Sequence, residues 1–274
     1  MLQERVYDDI YVFTSDVYAQ VTAGLIVTPK GGIVIDSLPF PTESHKMARF
    51  ARHICSDGVQ YVILTHYHSD HTYGAHLFPQ AEVVSHALCR DLIVDSGRPA
   101  LKRAQEEMPE LEEIMLPLPD VTFDEGDLLL HLGGWVVRLI HSPGHTADSI
   151  MVYVENASVL FAGDTVMPVP SIVDGDMDVL RNSLKKIDEL QVENMVQGHG
   201  EVILRGEVSR VVQATLDYLD AIEGLISEAI KEGRDRESLQ EISIEECGLP
   251  RLPLNGLVQQ IHMANLLHLY DKMK

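Results

Sequence analysis

Apolar positions in this chain follow two different periods. Short apolar runs at residues 10–13, 24–28, 33–36, 61–65, 128–132, 136–140, 150–154, 159–162 and 195–196 are too short for helices and read as strands. Residues 42–54 instead place Met47, Ala48, Ala51 and Ile54 on one helical face. Further helices are predicted over 69–77, 86–95 and 177–190. A helical tail runs from 204 to 274 and is broken near Gly233 and over 248–253. Two strand-rich halves result, the second opening near Val121. Residues 97–119 interrupt this pattern with an acidic stretch in which Leu101, Ala104, Met108, Leu111 and Met115 keep near-helical spacing. Pro109 starts a second short helix there. Periodicity alone therefore gives a mixed α/β protein.

The strand ends carry the chemistry. His66-Tyr67-His68-Ser69-Asp70-His71 follows the apolar run 61–65. Three imidazoles and a carboxylate at a strand end make a poor core, but they suit Zn, Fe, Mn or Co. His66 and His68 are two apart, so on extended backbone they leave the chain on the same side and can clasp one ion. Asp70 and His71 sit where the chain turns into a helix and point another way, so the run can serve two ions. A lone histidine at a strand end is ordinarily structural; three with an aspartate in six residues are not. The device recurs three times, as a short apolar strand, a glycine and one donor: Ser142-Pro143-Gly144-His145-Thr146, Ala162-Gly163-Asp164-Thr165 and Gln197-Gly198-His199-Gly200.

THYHSDH, SPGHT, AGDT and QGHG, in this order and spacing and with an early strand ending in Asp36, resemble the metallo-β-lactamase superfamily over about residues 23–200. The resemblance implies an αββα four-layer sandwich, α/β in class, with the metals at the top edge between the sheets. It implies a catalytic domain over 1–204, with a helical insertion at about 97–119, and a helical C-terminal extension over 205–274 packed on the same domain. It further implies that His66, His68 and His145 bind one ion, that Asp70, His71 and His199 bind a second, and that Asp164 bridges the two. Asp36 would support a ligand histidine from behind. The expected cofactors are two divalent ions, zinc first, with iron or manganese as alternatives. The expected reaction is attack of a metal-bridging hydroxide on an ester, lactone or thioester carbonyl, with Asp70 passing a proton to the leaving group.

Departures from the family pattern narrow the branch. Asp164 stands where the common zinc β-lactamases hold cysteine, so β-lactam hydrolysis is not expected. His68 stands where the diiron flavoproteins of the superfamily hold glutamate, which disfavours redox chemistry. Residues 166–172 read VMPVPSI in place of the Cys-Gly-Arg-like segment of glyoxalase II, so glutathione recognition is not expected. The general hydrolase branch remains. One alternative is an iron-dependent oxygenase acting on a thiol or persulfide, with a single iron on His66, His145 and Asp164. Another is a phosphodiesterase. A non-catalytic scaffold would be expected to have lost donors, and all seven are present.

Composition restricts the partners. Lys plus Arg is 21 and Asp plus Glu is 42, a net charge of −21, so nucleic acid and anionic membrane are not expected partners and a small-molecule substrate is. The three cysteines, Cys55, Cys89 and Cys247, are far apart and form no disulfide framework, so they read as buried thiols. No signal peptide and no membrane-length apolar run are apparent, which gives a cytoplasmic expectation. Residues 97–119 read as a lid or as sheet cover, and the tail as cover, a homodimer surface or a pocket wall. His45, His53, His76, His86, His131, His141, His262 and His268 are read as structural, although His141, His262 and His268 lie where they could reach the site. Tyr67 and Tyr73 flank the donors, and Met167, Pro168, Ile172 and Met177 could form an apolar rim.

Overall fold

A computed structural model describes residues 1–274. The first sheet contains seven strands in sequence order: β1 (Leu2–Tyr7), β2 (Ile10–Thr14), β3 (Thr22–Thr28), β4 (Gly31–Ile35), β5 (Val59–Ile63), β6 (Glu82–His86) and β7 (Val121–Phe123). β1 to β4 pair antiparallel, and β4 to β7 pair parallel. The second sheet contains β8 (Asp127–Leu132), β9 (Trp135–His141), β10 (Ile150–Val154), β11 (Val159–Gly163), β12 (Asn194–Gln197) and β13 (Ile203–Leu204), with only the β11–β12 pair parallel.

Alternation within the strands builds the layers. In β4, Ile33 and Ile35 point into the core between the sheets, while Val34 points outward under the helices. In β10, Ile150, Val152 and Val154 fill the inter-sheet core, while Met151 and Tyr153 face the other way. Strands covered on both faces read as continuous apolar runs, which is why the sequence pattern shows no alternation there. Outside the first sheet lie α1 (Pro41–Ile54), α2 (Ser69–Thr72), α3 (Ala87–Leu92) and α4 (Arg98–Glu107). α1 buries Met47, Ala48 and Ala51 against that sheet, and truncating Met47 to alanine would cost about 2–5 kcal/mol. Outside the second sheet lie α5 (Met177–Lys185), α6 (Val208–Lys231) and α7 (Leu257–Met273). The result is the four-layer αββα sandwich.

Several local expectations are corrected. Val121 opens no second half: β7 pairs with β6 and closes the first sheet. Residues 82–86 form a parallel strand, and the helix predicted over 86–95 is a short α3 followed by a π-turn at Ile93–Gly97. The predicted helices over 69–77 and 177–190 tighten into 3₁₀ turns after Thr72 and Lys185. Met115 is 74% exposed, and Leu116 is buried in its place, because α4 ends at Glu107 and the helical period stops there. Ile172 and Met177 pack in the core instead of forming a rim. The three cysteines are buried and free.

α7 is tied to the loop after β11. Asn265, fully buried, donates from Nδ2 to Pro170 O at 2.6 Å and accepts from Ile172 N at 3.1 Å. His262 does not reach the site: it bonds Tyr218 Oη at 2.9 Å and Ile242 O at 3.1 Å. His141 stacks on His86 with ring centroids 3.9 Å apart, away from the donors.

Candidate metal centre

The seven predicted donors converge at one end of the two sheets, in two sets. His66, His68, His145 and Asp164 form one, and Asp70, His71 and His199 form the other. In the first set His68 Nδ1 lies 3.1 Å from His66 Nε2 and 3.0 Å from His145 Nε2, and Asp164 Oδ2 lies 3.3 Å from His145 Nε2. In the second, Asp70 Oδ2 is 3.3 Å from His199 Nε2 and 3.8 Å from His71 Nε2. Asp164 also reaches this set, with Oδ1 3.2 Å from His71 Nε2 and Oδ2 3.5 Å from His199 Nε2. It is thus the one residue within reach of both.

The backbone positions these groups for identifiable reasons. Asp36 stands at the end of β4 with φ +55° and organises the first loop. Its Oδ1 accepts from Thr65 N at 2.8 Å, and its Oδ2 accepts from Thr65 Oγ1 at 2.7 Å and from His71 Nδ1 at 2.8 Å. Gly198 leaves room for the shared carboxylate, since a Cβ there would come within 1.9 Å of Asp164 Oδ1. Gly163, at φ +49°, packs against Thr65, where a Cβ would meet that side chain at 2.9 Å.

Every imidazole has its outer nitrogen engaged, which fixes the tautomer that turns a lone pair inward. His66 Nδ1 donates to Thr65 Oγ1 at 3.0 Å, His145 Nδ1 to Ser171 O at 3.0 Å and His199 Nδ1 to Ala19 O at 2.9 Å. His68 is reversed: its Nδ1 faces inward, and Asp174 Oδ2 stands 3.4 Å from its Nε2. Asp174, Ser171 and Ala19 had no motif in the sequence to announce them. Proximity after folding is their only signal.

Burial and the two carboxylates set the charge of the donors. Burial pulls His145 down to about 4, and it also holds His66 well below its ordinary value. Burial acts the same way on His199, but the Asp164 and Asp70 carboxylates outweigh it and raise the imidazole to about 10. Burial would raise Asp70, yet His71 and His199 hold it at about 2. Asp164 stays far below the usual carboxylate range for the same reason. His71 Nε2 and Asp164 Oδ1 are buried 3.2 Å apart, each with no other polar partner within hydrogen-bond distance. Unpaired buried polar atoms are costly. A tetrahedral ion with ligands at 2.0–2.1 Å has donor–donor edges of about 3.3–3.4 Å, close to the separations above. The donor set fits divalent metal.

A cavity of about 330 Å³ opens onto the donors. Its other walls are Tyr18, Met167, Leu254, Leu257 and Ile261, so the helical tail contributes an apolar face to the site. The backbone here is strained. Ala19 and Gln20 on one side, and Leu254 and Asn255 on the other, all take φ between +43° and +55°. Each such residue costs about 1–2 kcal/mol, and such outliers gather at functional sites. Tyr67 and Tyr73 line an adjoining cavity of about 360 Å³ with Ser69, Arg103 and Asp174.

The profile of the metallo-beta-lactamase superfamily matches residues 18–202. The chain is 25% identical over 187 residues to a beta-lactamase-like protein 2 homolog of Caenorhabditis elegans, covering 68% of this chain and 56% of that protein. It is 27% identical over 176 residues to a hydroxyacylglutathione hydrolase of Cereibacter sphaeroides, covering 63% and 61%. The match thus spans less than two thirds of either relative. A metallo-beta-lactamase from Pontibacter korlensis shares the fold, with a TM-score of 0.63 and 19% identity over 77% of this chain and 98% of that one.

Proposed function

The chain belongs to the metallo-beta-lactamase superfamily, and from that premise we propose that it is a dinuclear metal-dependent hydrolase of carboxylic esters, lactones or thioesters. The observation that carries the proposal is the pair of donor sets joined by Asp164. His66, His68 and His145 would hold one ion, Asp70, His71 and His199 the other, and Asp164 both. Imidazole and carboxylate donors without thiolate suit zinc. When bound, the ions supply Lewis acidity, lowering the pKa of coordinated water toward ~7 and polarising a carbonyl oxygen.

The chain's own residues do the rest. The five outer-nitrogen hydrogen bonds and contacts hold the imidazoles in place, so nothing has to reorganise during the reaction. Asp70 is ionised and faces the cavity. Its carboxylate takes the proton released as water adds to the carbonyl and passes it to the leaving oxygen or sulfur. Met167, Leu254, Leu257 and Ile261 would present an apolar face to the substrate. A cavity of about 330 Å³ suits a small-molecule substrate, and the net charge of −21 disfavours nucleic acid. No helix is long and apolar enough to cross a membrane. The intact second donor set favours hydrolysis over the one-iron reading.

The test is hydrolysis of an ester, lactone and thioester panel by protein stripped with chelator and then reloaded. Turnover of at least one class that disappears on stripping and returns with zinc is the expected result. Turnover indifferent to chelation would overturn the proposal.

A further inference from the structure

A cavity of about 560 Å³ lies apart from the one over the donors, and the hydrolysis just described makes no use of it. It lies between α6, the segment after β12 and the loop 248–253. It adjoins the donor cavity, and the two share the Met167 side chain. Their walls also continue into one another along the chain, from Gln20 to Ala19, from Gly200 to His199 and from Pro253 to Leu254. Met167 is unbranched, with three rotatable bonds, and is the kind of side chain that can swing aside to join two spaces.

The lining of the large cavity is apolar in effect. Met167, Ile203, Val211, Ala214, Leu249 and Pro253 supply carbon surface. The polar members are mostly committed elsewhere. Gln197 Nε2 donates to Glu201 O at 2.8 Å, Thr215 Oγ1 donates to Val211 O at 3.0 Å, and Arg210 pairs with Glu207 at 3.3 Å. Glu201 and Arg210 are exposed, at the mouth. Gln20, at the join with the donor cavity, and the remaining guanidinium N–H groups of Arg210, at the exposed side, are the free side-chain donors. A charged ligand would give up hydration here for few partners, whereas an apolar chain would gain burial.

The opposite side of the donor cavity differs. There the adjoining space of about 360 Å³ shares His68 and Ser69 with it and adds Tyr67, Tyr73, Asp95 and Arg103. Arg103 forms no ion pair within the protein. The Tyr67 and Tyr73 hydroxyls and the Arg103 guanidinium, with the Asp95 and Asp174 carboxylates beside them, make this a polar space that suits a polar departing group.

We propose that the cavity between α6 and the loop 248–253 binds a long unbranched acyl chain. The chain passes Met167, the scissile carbonyl lies at the donors, and the polar leaving group lies toward Arg103. This rests on the carbonyl-hydrolase reading and narrows its substrates to long-chain acyl esters or thioesters with polar leaving groups.

Two measurements decide it. The first is kcat/KM for 4-nitrophenyl esters from acetyl to dodecanoyl on the zinc-loaded protein and on Ala214→Trp, which plugs the cavity. A rise of at least about tenfold from butanoyl to decanoyl, abolished in Ala214→Trp, is expected. The second is fluorescence titration of 11-(dansylamino)undecanoic acid into metal-stripped protein, which does not depend on turnover. Val211→Phe serves as the plug if Ala214→Trp does not fold. A flat chain-length profile with chelator-sensitive turnover overturns the chain site and leaves the hydrolase reading standing. Probe binding that the plug removes, with no ester turned over at all, sinks the hydrolase reading and keeps the chain site. A probe that does not bind, or binds the plugged variant equally well, overturns the proposal.

Discussion

The donor wall of the site and the apolar wall facing it differ in how they are held. Each donor imidazole is fixed by a contact from its outer nitrogen, and all five partners sit on the two sheets or the loops leaving them (Thr65, Asp36, Ser171, Ala19 and Asp174). The facing wall of Leu254, Leu257 and Ile261 comes from the far end of the chain and enters through two consecutive left-handed residues, Leu254 and Asn255. One wall is a network of directed hydrogen bonds that requires particular atoms. The other is packing, which requires mainly volume and tolerates hydrophobic substitution. In the function proposed above, the first wall would carry the chemistry and the second would only face the substrate. The two meet at the loop 165–174, where Asn265 of α7 grips Pro170 and Ile172 while Ser171 grips His145.

The largest effect is expected where both donor sets depend on one residue. Asp164→Ala removes the shared carboxylate. Its expected cost is several kcal/mol of transition-state stabilisation, a loss of about a thousandfold or more in kcat/KM. Metal per chain should fall below that of the wild type while the far-ultraviolet circular dichroism is kept. A fully active, fully loaded variant would break the account.

Asn265→Ala tests the junction between the walls. It leaves Pro170 O and Ile172 N buried without partners, at about 1–3 kcal/mol each. Thermal unfolding should fall by several degrees, and the ion on His66, His68 and His145 should bind less tightly, because Ser171 no longer holds His145 as firmly. Destabilisation with unchanged metal affinity would mean that the two walls are independent.

The smallest of the three effects concerns the one outer partner that is itself largely exposed. Asp174, 59% exposed, faces His68 Nε2. Asp174→Asn should weaken metal binding about tenfold to a hundredfold. Competition with a chromophoric chelator measures this directly, and Asp174→Glu should recover part of it. A loss of stability without a change in metal affinity would assign Asp174 to packing alone.

The same contrast explains what the sequence made legible. His66, His68, Asp70 and His71 fall in one six-residue run, and His145, Asp164 and His199 each follow an apolar strand and a glycine, so local pattern is enough to single out the seven side chains that the fold brings together. Tyr18, Leu254, Leu257 and Ile261 meet only after folding, across more than 200 residues of chain. The positive φ at Ala19, Gln20 and Leu254 falls on residues that give no local signal for it, whereas Asn255-Gly256 is an ordinary turn pair. Asn265 looked like one more polar position on a tail helix. The fold shows the same division. Strands buried on both faces, such as β4, β10 and β11, were visible as apolar runs. β1 has no apolar run because it is an exposed edge, β13 has only two residues, and β7 falls in the wrong half because its partner strand β6, short and beginning at exposed Glu82, carries no strand prediction.

The central claim is that the seven donors form one site for two ions that share Asp164. Metal content per chain, measured by inductively coupled plasma mass spectrometry on protein purified without added metal or chelator, tests it most directly. The account predicts close to two zinc ions per chain, and no more than one in Asp164→Ala. No bound metal, and none taken up on reconstitution, would contradict it.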